Sequence, residues 1–570
     1  MRWPTLRVAA KACGRTMTFF FLWKRARPFL PELALISVLS LLSAMASLAI
    51  PWLAGSFLAG AFGDATVDLG TTVTLLVGAL VALTSINILV AVLSEVASGR
   101  ILAGLRRETY DHLIALPIAW HDQNSSSELL ALMTHEVGRL SNFLTTTLAN
   151  VPSMMMTALG AVLLLFFLDP LMALVIPALL VIFVTMMKLI GRRLRILARR
   201  ARNAEVRLFS FASSDLEMLP AIKAFAVETS RQSAYFAASE NARQLNLRRA
   251  RMSAFIGPLV SLLAGLAAIT ILTIGSEQIA TGSRSPAELF SFLLYAALLT
   301  RPASSLADSY GAFQVARGTL SRLNTVLGKP TEPGYVEGRE IGRATGAIAF
   351  EKIEFAYPGR SPVLAGVDLA IAPGEVVALA GANGAGKSTI IRLLMRFYLP
   401  NAGRIILDGE DIATLQVQSL RRQFGFVPQR PLLLNGTIRE NIIFGSADRD
   451  PKQVERAARM AQAWDFIECL PQGLDTSIGE DGVRLSGGQQ QRIALARALY
   501  RDPPIYIFDE ATSMYDLEGE AAFVETCIGL LKGRTVIIIT HRPASLALAD
   551  RIIKVTADGL ESMSNLPALH

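Results

Sequence analysis

Nine consecutive residues could hold a phosphate group. The segment Gly381–Thr389 reads G-A-N-G-A-G-K-S-T. Its glycines allow the backbone to curl so that successive N–H groups converge on phosphate oxygens. The Lys387 ammonium can reach the β- and γ-phosphates of a nucleotide, and the Ser388 hydroxyl suits Mg²⁺. We predict that ATP binds along the whole segment, which consists of Gly381, Ala382, Asn383, Gly384, Ala385, Gly386, Lys387, Ser388 and Thr389.

Other residues with reactive side chains follow apolar segments that are typical of buried strands. Asp509 and Glu510 come directly after I-Y-I-F, and Thr540 and His541 follow V-I-I-I. A third apolar segment, Val376–Ala380, leads into the phosphate-binding segment. The carboxyl ends of parallel strands meet at one edge of a sheet, where α/β proteins bind nucleotides. A helix predicted over residues 390–397 would direct the positive end of its dipole at the phosphates.

A second glycine-rich segment lies about a hundred residues further along. Leu485–Gln489 reads L-S-G-G-Q and opens a predicted helix that continues to Leu499. Its first N–H groups and the Ser486 hydroxyl suit a γ-phosphate. A phosphate-binding segment alone indicates only a nucleotide, whereas the two motifs together indicate an ATP-binding cassette.

The elements before residue 327 indicate a membrane protein. The 570 residues are 52% hydrophobic and 18% charged, too apolar for a wholly soluble chain of this length. Asp169 and Pro170 break one long apolar stretch and favour a tight turn. Six spans of the ~30 Å hydrocarbon layer are predicted: Leu33–Gly63, Leu69–Ser94, a run ending at Leu168, a run from Leu171, Met252–Ser276 and Leu289 to about Leu306.

The distribution of basic residues predicts how these spans are oriented. The connections over about 95–146 and 188–251 are long and helical in pattern, and the second is rich in arginine. The positive-inside rule places both connections, the N-terminus and the C-terminal half in the cytoplasm. Alternatively, the basic helices only anchor at the lipid surface. The net charge of +8 is explained by these basic residues beside the membrane spans and does not indicate nucleic acid. The short apolar segment Met17–Trp23 is predicted to be an interfacial helix.

Taken together, the motifs identify the chain as similar to half-size ATP-binding cassette exporters of type IV, which include bacterial lipid flippases, multidrug exporters and peptide exporters. The resemblance covers nearly the whole chain and is strongest over Phe355–His541. It implies an α-helical six-span transmembrane domain fused to a cytosolic α/β nucleotide-binding domain. The implied boundaries are 1–30 for an interfacial lead-in, 31–327 for the transmembrane domain, 328–346 for a linker and 347–570 for the nucleotide-binding domain.

The resemblance also implies roles for individual residues within one chain. Tyr357 would stack on adenine, and Gln429 would touch Mg²⁺ and sense the membrane domain. Glu510 would polarise the attacking water, and His541 would contact the γ-phosphate. The implied catalytic residues are Glu510, His541, Lys387 and Gln429, and the implied metal-binding residues are Ser388, Gln429 and Asp509.

Further residues are implied to act across a dimer. Ser486, Gly487, Gly488 and Gln489 would bind the ATP held by the partner subunit, and Asp516 would lie in the segment that crosses to the opposite site. The family has small and aliphatic residues where Met514 and Tyr515 stand in this sequence. That departure bears on communication between the two sites and not on the fold.

The implied function is ATP-driven export or flipping of an amphipathic or peptide-like substrate across the bacterial cytoplasmic membrane, by a dimer with alternating access. All nucleotide motifs are intact, which favours a homodimer. An importer on the same scaffold, and one half of a heterodimer, stay open. Six spans exclude a soluble ATPase acting on nucleic acid. Intact Glu510 and His541 argue against a channel or receptor that merely senses nucleotide.

One residue offers a hypothesis about the cargo. Arg301 lies within the sixth apolar run, followed by Pro302. A charge at membrane depth usually faces a cavity or a partner, so Arg301 could recognise a carboxylate or phosphate on the cargo. Alternatively, its side chain reaches toward the cytoplasmic interface or pairs with a nearby carbonyl.

Overall fold

A computed structural model of the protein describes residues 27–62, 68–124, 126–446, 449–479, 482–511, 531–556 and 559–563. The chain divides into two compact units. The first, here the helical unit, comprises Met1–Glu108 and Ala131–Thr325; the second, the α/β unit, comprises Thr109–Leu130 and Val326–His570. The predicted interfacial helix Met17–Trp23 and the predicted nucleotide-binding residue Asp516, with Met514 and Tyr515, lie outside the described residues.

Long helices separated by short breaks occupy the chain up to residue 327. The Asp169 carboxylate accepts hydrogen bonds from the N–H groups of Leu171 (2.8 Å) and Met172 (3.0 Å). The predicted break at Asp169 and Pro170 is therefore a capped helix start. The helices are α1 (Leu30–Ala61), α2 (Leu69–Ala115), α3 (Ile118–His121), α4 (Ser126–Ala131), α5 (Val137–Asn142), α6 (Val151–Leu168), α7 (Pro170–Ala173), α8 (Val175–Glu217), α9 (Leu219–Ala224), α10 (Glu228–Ala254), α11 (Ile256–Ala280) and α12 (Pro286–Leu327).

Several of these helices have the length and composition of membrane spans. Within the described ranges, four helical stretches are long and apolar enough to cross a membrane, and Pro286–Leu299 is a shorter apolar stretch. The four are Arg27–Ala61, Leu69–Ala115, Glu128–Leu168 and Glu228–Ala280. Helix α2 has 47 residues, about 70 Å at ~1.5 Å per residue, so it continues well beyond a ~30 Å hydrocarbon layer.

Two sheets form the framework of the α/β unit. The larger has six strands in the order β12-β11-β3-β10-β9-β6, of which only β12 is antiparallel to its neighbour. The smaller is antiparallel, in the order β2-β1-β4-β5, and β7 pairs with β8. The strands are β1 (Ile348–Ala356), β2 (Pro362–Ile371), β3 (Val376–Ala380), β4 (Ala402–Leu407), β5 (Glu410–Asp411), β6 (Phe424–Val427), β7 (Gly436–Thr437), β8 (Ser477–Ile478), β9 (Ile505–Asp509), β10 (Thr535–Ile539), β11 (Arg551–Thr556) and β12 (Gly559–Met563).

Helices cover this larger sheet, whose central strands are buried. Strand β10 is buried at every position, and the first four residues of β9 are buried too. Continuous burial explains the uninterrupted apolar runs that identified these strands in the sequence. The helices of this part of the chain are α13 (Lys387–Leu394), α14 (Val417–Arg421), α15 (Ile438–Ile442), α16 (Pro451–Met460), α17 (Trp464–Glu468), α18 (Gly487–Tyr500) and α19 (Pro543–Leu546).

Residues 328–346, predicted to be a linker, are part of the α/β unit. The Glu332 carboxylate is 8% exposed and accepts hydrogen bonds from both terminal nitrogens of Arg421, at 2.9 and 2.5 Å. Further along, the Ile341 N–H donates to the Ser419 hydroxyl at 2.9 Å. A bidentate pair fixes geometry more firmly than a single contact does. The segment therefore has a defined conformation despite its Gly- and Pro-rich composition.

Candidate nucleotide site

The phosphate-binding segment connects β3 to α13, and two of its glycines are required by geometry. Gly381 has a φ of +142°, and a Cβ atom there would lie 2.4 Å from the carbonyl oxygen of Val555. Gly386 has a φ of +105° and immediately precedes α13, where a Cβ would lie 2.9 Å from the Leu364 side chain. Any other residue would clash or strain the backbone, so the loop places its N–H groups at the start of a helix.

Lys387 is held inside this loop. Its side-chain nitrogen donates hydrogen bonds to the carbonyl oxygens of Gly381 (2.7 Å) and Ala382 (2.9 Å), and the residue is 7% exposed. Burial lowers the pKa of Lys387, while the carboxylates of Glu510 and Asp509 act in the opposite direction. The loop therefore holds a largely buried cation beside two acidic residues.

The two adjacent carboxylates lie where β9 ends, in different backbone conformations. Asp509 is the last residue of the strand, whereas Glu510 has a φ of +51°, a left-handed conformation uncommon outside glycine. The Glu510 N–H donates to the Ile539 carbonyl at 2.9 Å, and the Gln491 side chain donates to the Glu510 carbonyl at 3.1 Å. These two bonds hold the unusual conformation, which turns the second carboxylate away from the strand direction.

Three of the predicted catalytic residues meet at this point. The Gln429 side-chain nitrogen donates to one Glu510 carboxylate oxygen at 2.5 Å. The His541 Nε2 atom lies 3.9 Å from the other oxygen. Gln429 follows β6, Glu510 follows β9 and His541 follows β10, so the sheet brings the ends of three parallel strands together. The sequence predicted this convergence for Glu510 and His541 from the apolar runs before them.

Ser388 and Asp509 form a second pair in the same site. The Ser388 side chain makes a hydrogen bond to the Asp509 carboxylate, and burial followed by the nearby Glu510 charge raises the pKa of Asp509. A serine hydroxyl, one carboxylate and the amide oxygen of Gln429 are the kind of oxygen ligands that suit Mg²⁺. Among the described residues, no group of three His, Cys, Asp or Glu side chains could hold a metal. Mg²⁺ usually keeps several waters and is bound through one or two carboxylates together with substrate phosphates.

Tyr357 lies at the end of an aromatic cluster that reaches the first cytoplasmic connection. Its ring packs edge-to-face on Phe355, at a centroid distance of 4.9 Å, and on Tyr398, at 5.1 Å. The Tyr398 hydroxyl donates a hydrogen bond to the Asp122 carboxylate. Burial and this contact raise the pKa of Tyr398 to about 12. The Tyr357 hydroxyl also lies 3.2 Å from the Thr389 hydroxyl.

Sequence reasoning missed Tyr398. Nothing in its immediate sequence distinguishes a tyrosine after a helix from an ordinary core residue, because its role depends on the fold bringing Asp122 close.

The L-S-G-G-Q segment forms a capped helix start. The Gln489 N–H donates to the Ser486 hydroxyl at 3.3 Å, and the Ser486 N–H donates to the Gln489 side chain at 2.9 Å. This reciprocal pair is a capping box at the start of α18. In this arrangement the hydroxyl oxygen of Ser486 is an acceptor, which leaves its hydrogen available to donate. Ser486 is exposed, so a ligand from outside can reach it.

The fold and the site define a membrane-bound nucleotide hydrolase, and comparisons with known proteins give its family. Residues 33–303 match the family model for the ABC transporter transmembrane region, and residues 364–513 match the model for the ABC transporter. The ATP-dependent lipid A-core flippase of Thiobacillus denitrificans is 35% identical over 463 residues, 80% of this chain and 79% of its own. The corresponding flippase of Sodalis glossinidius is 32% identical over 557 residues, 96% of this chain and 94% of its own.

A solved structure is similar to this one over nearly the full length of the chain. It is described as a bacterial Atm1-family ABC exporter with ATP bound, with a TM-score of 0.81, 25% identity and 95% coverage of both chains. The chain therefore belongs to the ABC transporter family, as an ATPase coupled to export or flipping. It is a multi-pass protein of the bacterial inner membrane, with its nucleotide-binding domain in the cytoplasm. The fold class, the ATPase activity and the localisation predicted from the sequence are confirmed.

Proposed function

We propose that two copies of this chain form a homodimer that moves a lipid-like, amphipathic molecule out of the inner leaflet by alternating access. The relatives named lipid A-core flippases support a lipid-like cargo. Peptide-like cargo, transport in the opposite direction and a heterodimer are the competing possibilities. The observation that carries the proposal is the cluster of Gln429, Glu510 and His541, because it has the parts needed for hydrolysis.

In the proposed reaction, ATP binds with its adenine on Tyr357 and its phosphates along Gly381–Thr389. Mg²⁺ bound by Ser388, Asp509 and Gln429 would supply charge that stabilises the transferring phosphoryl group. Glu510 accepts a proton from the attacking water, and His541 donates to the γ-phosphate. Phosphoryl transfer depends mainly on positioning and charge stabilisation. The Glu510 carboxylate is positioned by the Gln429 side chain on one side and faces His541 on the other. This arrangement supports the positioning that the reaction requires.

The second half of each site comes from the partner chain in this proposal. The capped start of α18 has an exposed Ser486, and the N–H groups in the first turn of a helix suit the γ-phosphate of ATP held by the partner. Hydrolysis then requires the two nucleotide-binding domains to close on each other, and closure is what changes the access of the membrane helices.

A mixed-dimer experiment tests this shared site. In a Glu510→Gln background, chains carrying Lys387→Ala are paired with chains carrying Ser486→Arg, and trapped ATP per dimer is counted. In a shared-site homodimer, the altered Lys387 of one chain and the altered Ser486 of the other lie in the same site. The second site then has both residues unaltered and still traps one nucleotide. The matched control pairs a Lys387→Ala, Ser486→Arg double variant with a chain that has neither change, which spoils both shared sites. If each site were built within a single chain, the control pair would trap one nucleotide per dimer and the first pair would trap none. That result would contradict the proposal.

A further inference from the structure

Helix α18 carries two groups that matter for hydrolysis. Ser486, at its capped start, is the residue that the proposed function assigns to the partner's ATP. Five residues further along, Gln491 is completely buried, and its side-chain nitrogen donates a hydrogen bond to the Glu510 carbonyl oxygen at 3.1 Å. Five helical residues span only ~7.5 Å along the helix axis. One short stretch of helix therefore holds the Glu510 backbone of its own chain and carries the group assigned to the neighbouring site.

The conformation of Glu510 depends on this hydrogen bond. Glu510 has a φ of +51°, and its N–H donates to the Ile539 carbonyl at 2.9 Å, while its carbonyl accepts from Gln491. A residue other than glycine stays in the left-handed region only where the surrounding structure holds it there. The carboxylate of the same residue accepts a hydrogen bond from Gln429 and faces His541. Because a turn of the peptide unit moves the whole residue, Gln491 sets where this carboxylate lies.

Packing alone does not explain an amide at position 491. The residues that follow on α18 include a run of buried apolar side chains: Ile493, Ala494, Leu495 and Ala496. An apolar side chain would fill the buried space at position 491 with no polar group to satisfy, whereas a buried amide costs free energy unless it is paired. Gln491 directs its amide at the carbonyl of the residue predicted to activate water.

The other end of α18 is attached to the segment that follows Gln429. The Arg497 guanidinium donates to the carbonyl oxygens of Leu432 and Asn441, both at 2.8 Å. Leu432 lies three residues after Gln429, whose side chain donates to the Glu510 carboxylate. A displacement of α18 therefore acts on the Glu510 backbone directly and on its carboxylate through this segment.

We infer that Gln491 is a positioning residue that makes hydrolysis in one site depend on ATP in the other. The inference rests on the proposed shared sites and names the residue that connects them. ATP held by the partner binds Ser486 and fixes the start of α18. Gln491 then holds Glu510 of its own chain in the left-handed conformation from which the carboxylate accepts a proton from water. When the partner's site is empty, the start of α18 has no ligand and Glu510 is held less firmly.

The experiment confines ATP turnover to one chain of a full-length mixed dimer, the reporter chain. Its first partner carries Glu510→Gln and binds ATP without turning it over. Its second partner carries Lys387→Ala in addition, so its phosphate loop stays empty at an ATP concentration that saturates only unaltered loops. The reporter's turnover number with the first partner is divided by that with the second. We expect this ratio to be about ten for the unaltered reporter, the effect of about one hydrogen bond on the barrier.

Gln491→Met in the reporter removes the donor and nearly keeps the side-chain size. It should lower the ratio about fivefold to tenfold, toward one, with the reporter's affinity for labelled ATP changed by less than about twofold. Gln491→Asn, whose amide is one methylene short of the Glu510 carbonyl, is a second variant with the same expected result. The matched control is Gln453→Met, which loses an amide bond of 3.0 Å to the Tyr500 carbonyl at the far end of α18 and should keep the ratio.

Three results would overturn the inference. If Gln491 only stabilised the fold, the Gln491→Met reporter would lose the same factor with both partners and the ratio would not change. An equal fall in the ratio when Gln491→Met stands only in the partner would show that the effect does not pass through the reporter's own α18. A ratio near one for the unaltered reporter would mean that the partner's ATP does not act on the reporter. If the trapping experiment still showed shared sites, the proposed function would stand; sites built within single chains would overturn both.

Discussion

The nucleotide site and the cavity between α1, α2, α6 and α12 are lined by different kinds of residues. The nucleotide site gathers Lys387, Asp509 and Glu510, charged groups held close together at strand and helix ends. The cavity between the membrane helices uses serine, threonine and asparagine, with no charge among its described lining residues. The nucleotide site uses charge because it must stabilise a transferring phosphoryl group. The described lining of the cavity combines its polar side chains with leucine, isoleucine, valine and methionine. The side chain of Arg301, for which recognition of an anionic cargo was a hypothesis, lies outside the described part of the structure.

This difference explains why the nucleotide site could be predicted from the sequence and the membrane cavity could not. Charged groups directly after buried apolar strands are uncommon because burying a charge is costly, so Asp509 and Glu510 could be recognised as site candidates. Hydroxyl groups within membrane helices are common, because they bond the carbonyl one turn earlier at little cost, as Thr157 does with Ser153 at 2.9 Å. A cavity made of such groups appears only when the helices are assembled.

The largest expected effect is at Glu510. Glu510→Gln should lower ATP turnover by about a hundredfold to ten-thousandfold, because the amide keeps the shape but accepts a proton poorly. ATP binding should persist, which equilibrium binding of labelled ATP would check alongside the turnover assay. Turnover close to that of the unaltered protein would remove Glu510 from the catalytic role.

Lys387→Ala should weaken ATP binding by roughly tenfold to a hundredfold, since the site loses a cation facing two phosphates. Lys554→Ala is the control, because Lys554 is an exposed lysine on β11 of the same sheet. Titration with a fluorescent ATP analogue compares the two variants. Equal affinities would mean that Gly381–Thr389 does not hold the phosphates.

The Asp509 carboxyl group should make stability depend on pH in a defined direction. Its pKa is raised in the folded protein, so the folded state binds the proton more tightly than the unfolded chain. The stability from that proton is present at acid pH and lost as the pH rises through the folded pKa. Asp509→Asn should therefore melt above the unaltered protein at neutral pH, in the absence of nucleotide and Mg²⁺.

That advantage should shrink as the pH is lowered, and scanning fluorimetry across the acid range measures it. The same variant should lose its Mg²⁺-dependent ATP hydrolysis, because the neutral amide is a weaker ligand for a hard cation. If Asp509→Asn and the unaltered protein had the same melting temperature at every pH, burial would not destabilise the charged form of Asp509.

The smallest expected effect is at Tyr398. Tyr398→Phe keeps the ring on Tyr357 but removes the hydrogen bond to Asp122. We expect nearly unchanged ATP affinity and a loss of about 1 kcal/mol in the free energy of unfolding of the α/β unit. A double-mutant cycle with Asp122→Asn measures this pair directly. Additive single effects would show that the contact contributes nothing.

Most of the fold could be predicted because its signals are local. The apolar runs gave strands Val376–Ala380, Ile505–Asp509 and Thr535–Ile539 to within a residue, and Asp169 marked the break between two helices. The unusual backbone of Glu510 could not be predicted, since it depends on Ile539 and Gln491 from distant parts of the chain. The pairing of Glu332 with Arg421 could not be predicted either, because a Gly- and Pro-rich composition does not reveal it. Ser388, Asp509 and Gln429 keep their predicted metal roles as proposals.

The coupling of hydrolysis to lipid movement can be measured in proteoliposomes that contain the purified dimer and a fluorescent glycolipid. Chemical quenching from outside reports which leaflet holds the lipid, while phosphate release is followed in the same sample. On addition of ATP and Mg²⁺, dimers whose nucleotide-binding domains face outward should move the glycolipid into the inner leaflet, and Glu510→Gln should stop both signals together. Sustained phosphate release with an unchanged lipid distribution, or lipid movement that continues in Glu510→Gln, would contradict ATP-driven lipid export.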